Sequence, residues 1–374
     1  MSNQKAFMKK ILFIVDDLGQ GGAEKITLEL AKFLAKNTNL VTLAVLNSSK
    51  NTLSIHSSIE YIDLSLSPKF SFGKLWKSKK ISKNEEKIIH EKINSRKFDL
   101  IIIGFHNGYY LGKYITQKTN VWYWVHGDLL EYRPSTNIFI KLKENIRQLK
   151  NKQKFKKLFS GKNLITVNLD LKLKYQSLLP NSTIIHIPNG VSSPNPPISN
   201  KKNKLWDIVF VGRLAPIKQV DHILLAFSKS SLTGKLAIVG DGNQKSQLIQ
   251  YAQQLNIIDR VDFIGWVNNP YPYMLQAKSL VLTSHYEAYG LVLAESLCLD
   301  TPVIAYNCST GVRDILSLQK NMLEYLVEPN NHDLLAKKMF DCVVKPYPIL
   351  GTTKKKLSIQ NTAENFLNLL NISS

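Results

Sequence analysis

Short apolar runs recur along the chain, each followed by a polar loop and then by a stretch of helical spacing. Residues 11–15 (ILFIV), 40–46, 100–105, 121–125, 207–211, 235–239 and 280–282 are apolar almost throughout. Alternation would mark strands with one wet face, whereas continuous runs mark strands buried on both faces, as in a parallel sheet. Residues 59–64, 163–168, 184–187, 261–264 and 301–305 fit further strands, the last with Pro302 near its start, where a missing N–H is tolerated. Helical spacing is predicted over 26–35, 220–227, 245–255, 291–299 and 358–370, and 271–276 leads into the strand at 280. Strands alternating with helices give an α/β fold, and the pattern restarts at Asp207.

The chain has 374 residues, enough for two ordinary domains. Residues 1–191 form the first predicted domain. Residues 192–204 (SSPNPPISNKKNK) are Pro-rich and polar and read as a linker. Residues 205–352 form the second domain, and 353–374, opened by Lys354-Lys355-Lys356, a terminal helical segment. No apolar run approaches the roughly 18–20 residues of a membrane span. Residues 11–15 are too short for a signal-peptide core, so the expected location is the cytoplasm. Cys298, Cys308 and Cys342 have no metal-ligand spacing and read as small buried hydrophobes in a reducing compartment.

The net charge is +21 and is uneven. Residues 1–190 carry 31 Lys and Arg against 14 Asp and Glu, and the rest 18 against 14. The first half therefore suits an anionic partner, and charge alone admits nucleic acid or anionic lipid. In residues 69–80 (KFSFGKLWKSKK), aromatic rings alternate with lysines. That suits a membrane interface, a single-stranded nucleic acid, or a solvated loop covering a core. Residues 141–157 hold eight bases and one acid. Leu142, Ile146 and Leu149 recur there at helical spacing, with Phe155, Leu158 and Phe159 beyond. Such a helix either lies on an anionic membrane or packs its apolar side on the core and solvates the basic one.

The candidate chemistry lies where strands end. Residues 279–314 read as strand, polar loop, helix and strand, with Glu287 in the loop and Glu295 eight positions later, inside the helix. Ligands of open α/β sheets bind at the carboxyl ends of strands. A carboxylate there repels phosphate but accepts hydrogen bonds from a sugar diol. Gly212-Arg213-Leu214 follows the strand at 207–211, and Lys218 precedes the next helix. A guanidinium and an ammonium so placed suit a diphosphate. Gly240-Asp241-Gly242 ends the following strand. In the first half, Gly19, Gly21 and Gly22 make a glycine-rich strand–helix junction whose spacing is not a dinucleotide fingerprint. His106 and His126 each close a strand.

The unit Glu-Ala-Tyr-Gly-Leu-Val-Leu-Ala-Glu (287–295), followed by Thr-Pro-Val-Ile-Ala, resembles the donor site of retaining glycosyltransferases of family 4, which have the GT-B fold. Gly-Arg-Leu-x-x-x-Lys (212–218) and Gly-Gly-Ala-Glu (21–24) extend the resemblance over nearly the whole chain, more weakly in the first half. The resemblance implies two Rossmann-like domains whose parallel sheets face a central cleft, and a C-terminal helix crossing back to the first. It places the diphosphate of a nucleotide sugar, expected to be UDP-linked, on Arg213 and Lys218, its ribose on Glu295 and its hexose on Glu287. His126 would line the donor sugar, Gly240 and Asp241 would lie by the base, and Tyr289, Gly290 and Leu291 would complete the donor loop. Gly21 and Gly22 would face the donor phosphate and the acceptor. Glu287, His126, Arg213 and Lys218 are the expected catalytic set.

Family members more often carry Gly-Phe where Ala288-Tyr289 stands here, which bears on donor choice. The chain has no Asp-x-Asp pair, so metal-independent chemistry is expected, with the nucleotide sugar as co-substrate and no cofactor. The expected function is transfer of a hexose or N-acetylhexosamine to a glycan or lipid-linked acceptor in bacterial surface polysaccharide, lipopolysaccharide or lipid-linked oligosaccharide synthesis. The basic first domain would then meet the anionic inner face of the cytoplasmic membrane. The rivals are a GT-B sugar-nucleotide epimerase, a glycogen-type synthase, and a non-catalytic binder of membrane or nucleic acid. No nucleic-acid recognition motif is present, and nucleic acid is not the expected partner.

Overall fold

The computed structural model describes residues 8–19, 21–37, 39–77, 79–117, 120–131, 138–192 and 204–372, with side chains from 143 onward in the helix that begins at 138. The chain forms two compact units, Met1–Pro188 with Thr362–Ser374, and Asn189–Asn361. Nearly all of the expected linker, 192–204, lies outside the described residues.

The first unit holds a seven-stranded sheet of β1 (Lys10–Val15), β2 (Leu40–Val45), β3 (Glu60–Asp63), β4 (Leu100–Gly104), β5 (Asn120–Val125), β6 (Asn163–Thr166) and β7 (Ile184–His186). The order is β3-β2-β1-β4-β5-β6-β7, and every pairing is parallel. The second unit holds a six-stranded sheet of β8 (Trp206–Val211), β9 (Leu236–Val239), β10 (Val261–Gly265), β11 (Ala277–Leu282), β12 (Val303–Tyr306) and β13 (Leu326–Val327). Its order is β10-β9-β8-β11-β12-β13, again all parallel. The continuous apolar runs are these strands: Ile11 to Ile14 and Leu280 to Val281 are fully buried.

Strand order reverses between β1 and β4 in the first sheet and between β8 and β11 in the second. Loops leaving the carboxyl ends of such a pair diverge to opposite faces and open a crevice. The crevice of the second unit is framed by residues 212–219 and 283–290. That of the first is framed by residues 16–21 and 105–108.

The chain end departs from one predicted helix over 358–370. A first helix, Gly351–Leu357, stays with the second unit, and a second, Ile359–Asn368, follows. The break at Ser358 is fixed by Val191, whose N–H donates to the Leu357 carbonyl and whose carbonyl accepts the Ile359 N–H. From Thr362 onward the chain is part of the first unit, where Phe366 is buried with its ring 4.8 Å from that of Trp124.

The two basic segments resolve differently. In 69–80, Phe70 is buried, and so is Lys79, whose ammonium donates to the Phe70 carbonyl at 3.1 Å. This segment, the end of the short helix Pro68–Ser71 and the loop after it, covers the core. The helix Ile138–Phe159 buries Phe155 and Phe159 at its C-terminal end, but leaves Ile146 48% and Leu149 64% exposed. Its described apolar residues thus do not form one core-facing stripe. The helices Lys83–Ile89 and Leu169–Leu178 were not expected from spacing. The first carried a legible signal, the capping box of Ser82 and Glu85. The cysteines behave as small hydrophobes: burial pushes Cys298 and Cys308 up to about 11 and Cys342 up to about 12.

Candidate functional site

In the second unit the loops after β8 and β9 are joined backbone to backbone. The Gly212 N–H donates to the Val239 carbonyl, and the Leu214 N–H to the Asp241 carbonyl at 2.9 Å. Gly240 has φ +139°, and a Cβ there would lie 1.9 Å from the Gly212 carbonyl oxygen, so no other residue fits without moving backbone. A Cβ on Gly242 would meet the Leu214 carbonyl oxygen at 2.2 Å. Asp241 points outward, and its carboxyl is held below the usual range by the Gly242 N–H and by Lys245.

The loop after β11 closes the other side. The Thr283 hydroxyl lies 2.8 Å from the Gln219 carbonyl and 3.1 Å from that of Lys218, and the His285 N–H donates to the Ile217 carbonyl. These bonds lock the two loops together. Lys218 Nζ donates to Glu287 Oε2 at 2.6 Å, and the Ser284 hydroxyl donates to the same oxygen at 3.2 Å. Both partners of the ion pair keep about a fifth of their side-chain surface, 21% and 22%, open to solvent. The pair is neither a solvated surface contact nor sealed, and the remaining ammonium protons and carboxylate lone pairs are available to a ligand. Arg213 is exposed, and its guanidinium has no ion pair or hydrogen bond among the described residues.

Gly290, at φ +90°, begins the helix Leu291–Cys298, and no side chain caps it. Its left-handed backbone is one that glycine adopts without strain. Glu295 is inside that helix and buried, 3.3 Å from the Tyr271 hydroxyl. Tyr289 is buried as well. Leu291 is half-buried. A Cβ on Gly311 would lie 2.2 Å from the Ala288 carbonyl oxygen, so this glycine lets the next helix press onto the loop after β11. The sequence reading had given Gly311 no role. The structure therefore brings Lys218 and Glu287 into contact, with Gly290 and Glu295 on the same loop and helix, and Arg213 on the loop that carries Lys218.

The first unit has a different edge. His126, at the end of β5, packs its ring 4.3 Å from Trp124 and 5.5 Å from Phe105, centroid to centroid. Both of its ring nitrogens are buried without a hydrogen-bond partner among the described residues. Burial, with His106 nearby, pushes it down to about 3, so the ring is neutral. It is thus not a histidine bonded to backbone. It keeps one donor and one acceptor unused, which costs about 1–3 kcal/mol per group until something fills them. Phe105, beside it, holds φ +66°, a strained value for a bulky residue. Burial also lowers His106.

Gly21 begins the helix Gly22–Lys36 without a side-chain cap, and a Cβ on it would run into the Glu24 carboxylate. Sequence reasoning missed Asp16 here. At the end of β1 its carboxylate accepts the backbone N–H of Asn107 and Gly108 and the Asn107 side-chain amide at 2.7 Å. Burial pushes it up to about 7 against those hydrogen bonds. The signal was present: an aspartate directly after a buried strand, at the switch point.

Comparisons with known proteins agree with this layout. Residues 192–346 match the family model for glycosyl transferases group 1. An uncharacterized glycosyltransferase of Haemophilus influenzae is 24% identical over 346 residues, covering 88% of this chain and 89% of that protein. Among solved structures, the lipopolysaccharide outer core galactosyltransferase WaaB in its apo form superposes with a TM-score of 0.66 at 18% identity, covering 96% of this chain and 99% of that one. Anabaena HepE in complex with UDP-glucose superposes with a TM-score of 0.68 at 17% identity, covering 97% and 99%. The fold is GT-B, most of the second unit matches the glycosyl transferases group 1 model, and the chain is a glycosyltransferase enzyme.

Proposed function

From a GT-B fold and a glycosyl transferases group 1 domain, we propose that this enzyme moves a hexose or N-acetylhexosamine from a UDP-sugar, with retention at the anomeric carbon. The acceptor is a membrane-associated glycan in bacterial surface polysaccharide, lipopolysaccharide or lipid-linked oligosaccharide synthesis. The single observation carrying this reading is the contact of Lys218 with Glu287 at a switch point, on the loop that also carries the unpaired Arg213. One site then offers cations for a diphosphate and carboxylates for sugar hydroxyls. The solved complex of HepE with UDP-glucose supports a UDP-sugar donor, and the likeness to WaaB supports a lipopolysaccharide-type acceptor.

In this mechanism Arg213 and Lys218 hold the diphosphate and take up charge as the glycosyl bond breaks. Lys218 keeps one proton on Glu287 and turns the others to phosphate. Glu295 accepts from the ribose hydroxyls, and Glu287 orients the hexose and faces the oxocarbenium-like centre. The neutral imidazole of His126 donates to, and accepts from, sugar hydroxyls, which fits its unsatisfied nitrogens better than any charged ligand. The acceptor is held by the first unit, near Gly21 and Gly22. The departing phosphate oxygen takes the acceptor proton on the same face. The chemistry is metal-independent, with the two bases in the metal's role.

The test is the product. Purified enzyme is given an α-linked UDP-sugar and a soluble glycan acceptor, and the new anomeric proton is followed by NMR. An α-linked product supports retention, a β-linked product contradicts it, and no transfer with any donor and acceptor pair contradicts the transferase reading.

A further inference from the structure

No hydrogen bond orients His126: among the described residues both of its ring nitrogens are without a partner. A histidine bonded through one nitrogen is turned by that bond. This one is set by packing, between the Trp124 ring at 4.3 Å and the Phe105 ring at 5.5 Å, centroid to centroid. Whatever fixes Phe105 and Trp124 therefore fixes the imidazole.

Phe105 leaves β4 at φ +66°. A bulky residue resists that left-handed backbone, so the turn has to be held by its surroundings. Asp16 holds it. Its Oδ1 accepts the Gly108 N–H at 2.7 Å and the Asn107 N–H at 3.1 Å. Its Oδ2 accepts the Asn107 N–H at 3.0 Å and the Asn107 side-chain amide at 2.7 Å. That amide also donates to the Ser71 carbonyl at 2.6 Å, so Asn107 is tied on two sides. A carboxylate has lone pairs enough for all of these donors. Tyr109, the next residue along, is buried and donates its hydroxyl to the Trp124 carbonyl at 2.9 Å. Two routes thus run from Asp16 to His126, one through the Phe105 ring and one through Tyr109 to the strand that carries Trp124. The adjacent Asp17 serves its own loop, accepting the Gly19 N–H at 2.9 Å.

We propose that Asp16 is a positioning residue for the sugar-binding imidazole: its carboxylate clamps residues 105–108 in their strained turn, and through Phe105 and Tyr109 that turn aims His126. Its oxygens are committed to the turn, so it acts through His126 and not on substrate. The inference rests on the proposed role of His126 for its purpose, and on these contacts alone for its geometry.

Asp16→Asn keeps the size and one acceptor oxygen but sets an amide N–H against the Asn107 amide. Donor then faces donor, and Asn107 can turn its idle Oδ1 inward only by releasing the Ser71 carbonyl. The first readout needs no substrate. In the full chain with ¹⁵N-labelled histidine, the His126 imidazole signals are identified by their loss in His126→Phe. They are expected to shift in Asp16→Asn and to stay in place in Asp17→Asn. The second readout is transfer from a UDP-sugar. Asp16→Asn should lower kcat/KM about tenfold to a hundredfold, the range that a misplaced group costs. Stabilisation by UDP alone, which the proposed site holds in the second unit, should be kept. In the His126→Phe background the same change should have little further effect, because nothing is left to position. Phe105→Gly takes φ +66° without strain, so it should fold and show the same loss of transfer.

Unmoved His126 signals in Asp16→Asn overturn the inference. So do equal losses of transfer with and without His126, which mark a turn that only holds the unit together. A wild type that transfers from no nucleotide sugar contradicts the transferase reading instead, and the His126 signals then decide the clamp by themselves.

Discussion

The two units share one scaffold and differ at its working edge. Each is a parallel sheet with a reversal of strand order, and in each the candidate chemistry lies in loops at the carboxyl ends of strands, at that reversal in the second unit and at and beside it in the first. In the second unit the edge is charged and partly open: Lys218 holds Glu287, and Arg213 reaches into solvent. In the first it is shut in and less charged: His126 is neutral with two idle nitrogens, and burial raises Asp16 to about 7. A charged edge suits a ligand carrying a diphosphate. A less charged edge with unused hydrogen-bonding capacity suits hydroxyls. The same fold has thus been given two chemistries by changing what sits after four strands.

The glycines separate the edges most sharply. In Gly240→Ala a Cβ would overlap the Gly212 carbonyl at a backbone angle alanine resists, so the β8 and β9 loops must part. The expected cost is about 3 kcal/mol. Gly21→Ala meets only the end of the Glu24 side chain, which can turn away, and should cost less than about 1 kcal/mol. Hydrogen exchange reads each unit separately. Loss of protection around 236–242 in Gly240→Ala, with the first unit unchanged, supports the contrast; equal and small effects in both variants would erase it.

A smaller effect tests the less charged edge. Asp16 is raised to about 7, so between pH 4 and 7 the folded state keeps a proton that the unfolded state has released. Stability from this group therefore falls as pH rises through that window. His126 is lowered to about 3, so between pH 3 and 6.5 the unfolded imidazole holds a proton that the folded one refuses. Its contribution rises with pH and is complete above 6.5. The two oppose each other from pH 4 to 6.5. Relative to the wild type, Asp16→Asn should make stability climb more steeply with pH there, and His126→Phe should make it decline. Each slope approaches about 1.4 kcal/mol per pH unit. Unfolding midpoints across that range check the signs. Unchanged slopes in both variants would mean that neither group is shut off from solvent.

How much of this was legible follows from the range of each interaction. Strands buried on both faces announce themselves by composition, so both sheets and their parallel pairing could be read directly. Glu287, Gly290 and Glu295 fall within one loop and helix, so their spacing carried the signal. Lys218 and Glu287 were each singled out, but their contact spans 69 positions and no local pattern encodes it. Asp16 was passed over because its partner, Asn107, is 91 positions away. The basic helix stayed open for another reason: Ile146 and Leu149 have the same spacing whether they face core or solvent, and among its described apolar residues Phe155 and Phe159 are the ones inside.

The central claim is that the edge of the second unit holds a nucleotide sugar. The most direct test is thermal unfolding of the purified chain with each common UDP- and GDP-sugar, repeated on Arg213→Ala and Glu295→Ala. A ligand at a hundredfold excess over its Kd stabilises the folded state by about 2.7 kcal/mol. The account predicts that one UDP-sugar raises the melting temperature of the wild type and of neither variant. A wild type that responds to no nucleotide sugar, or variants that respond as it does, would contradict it.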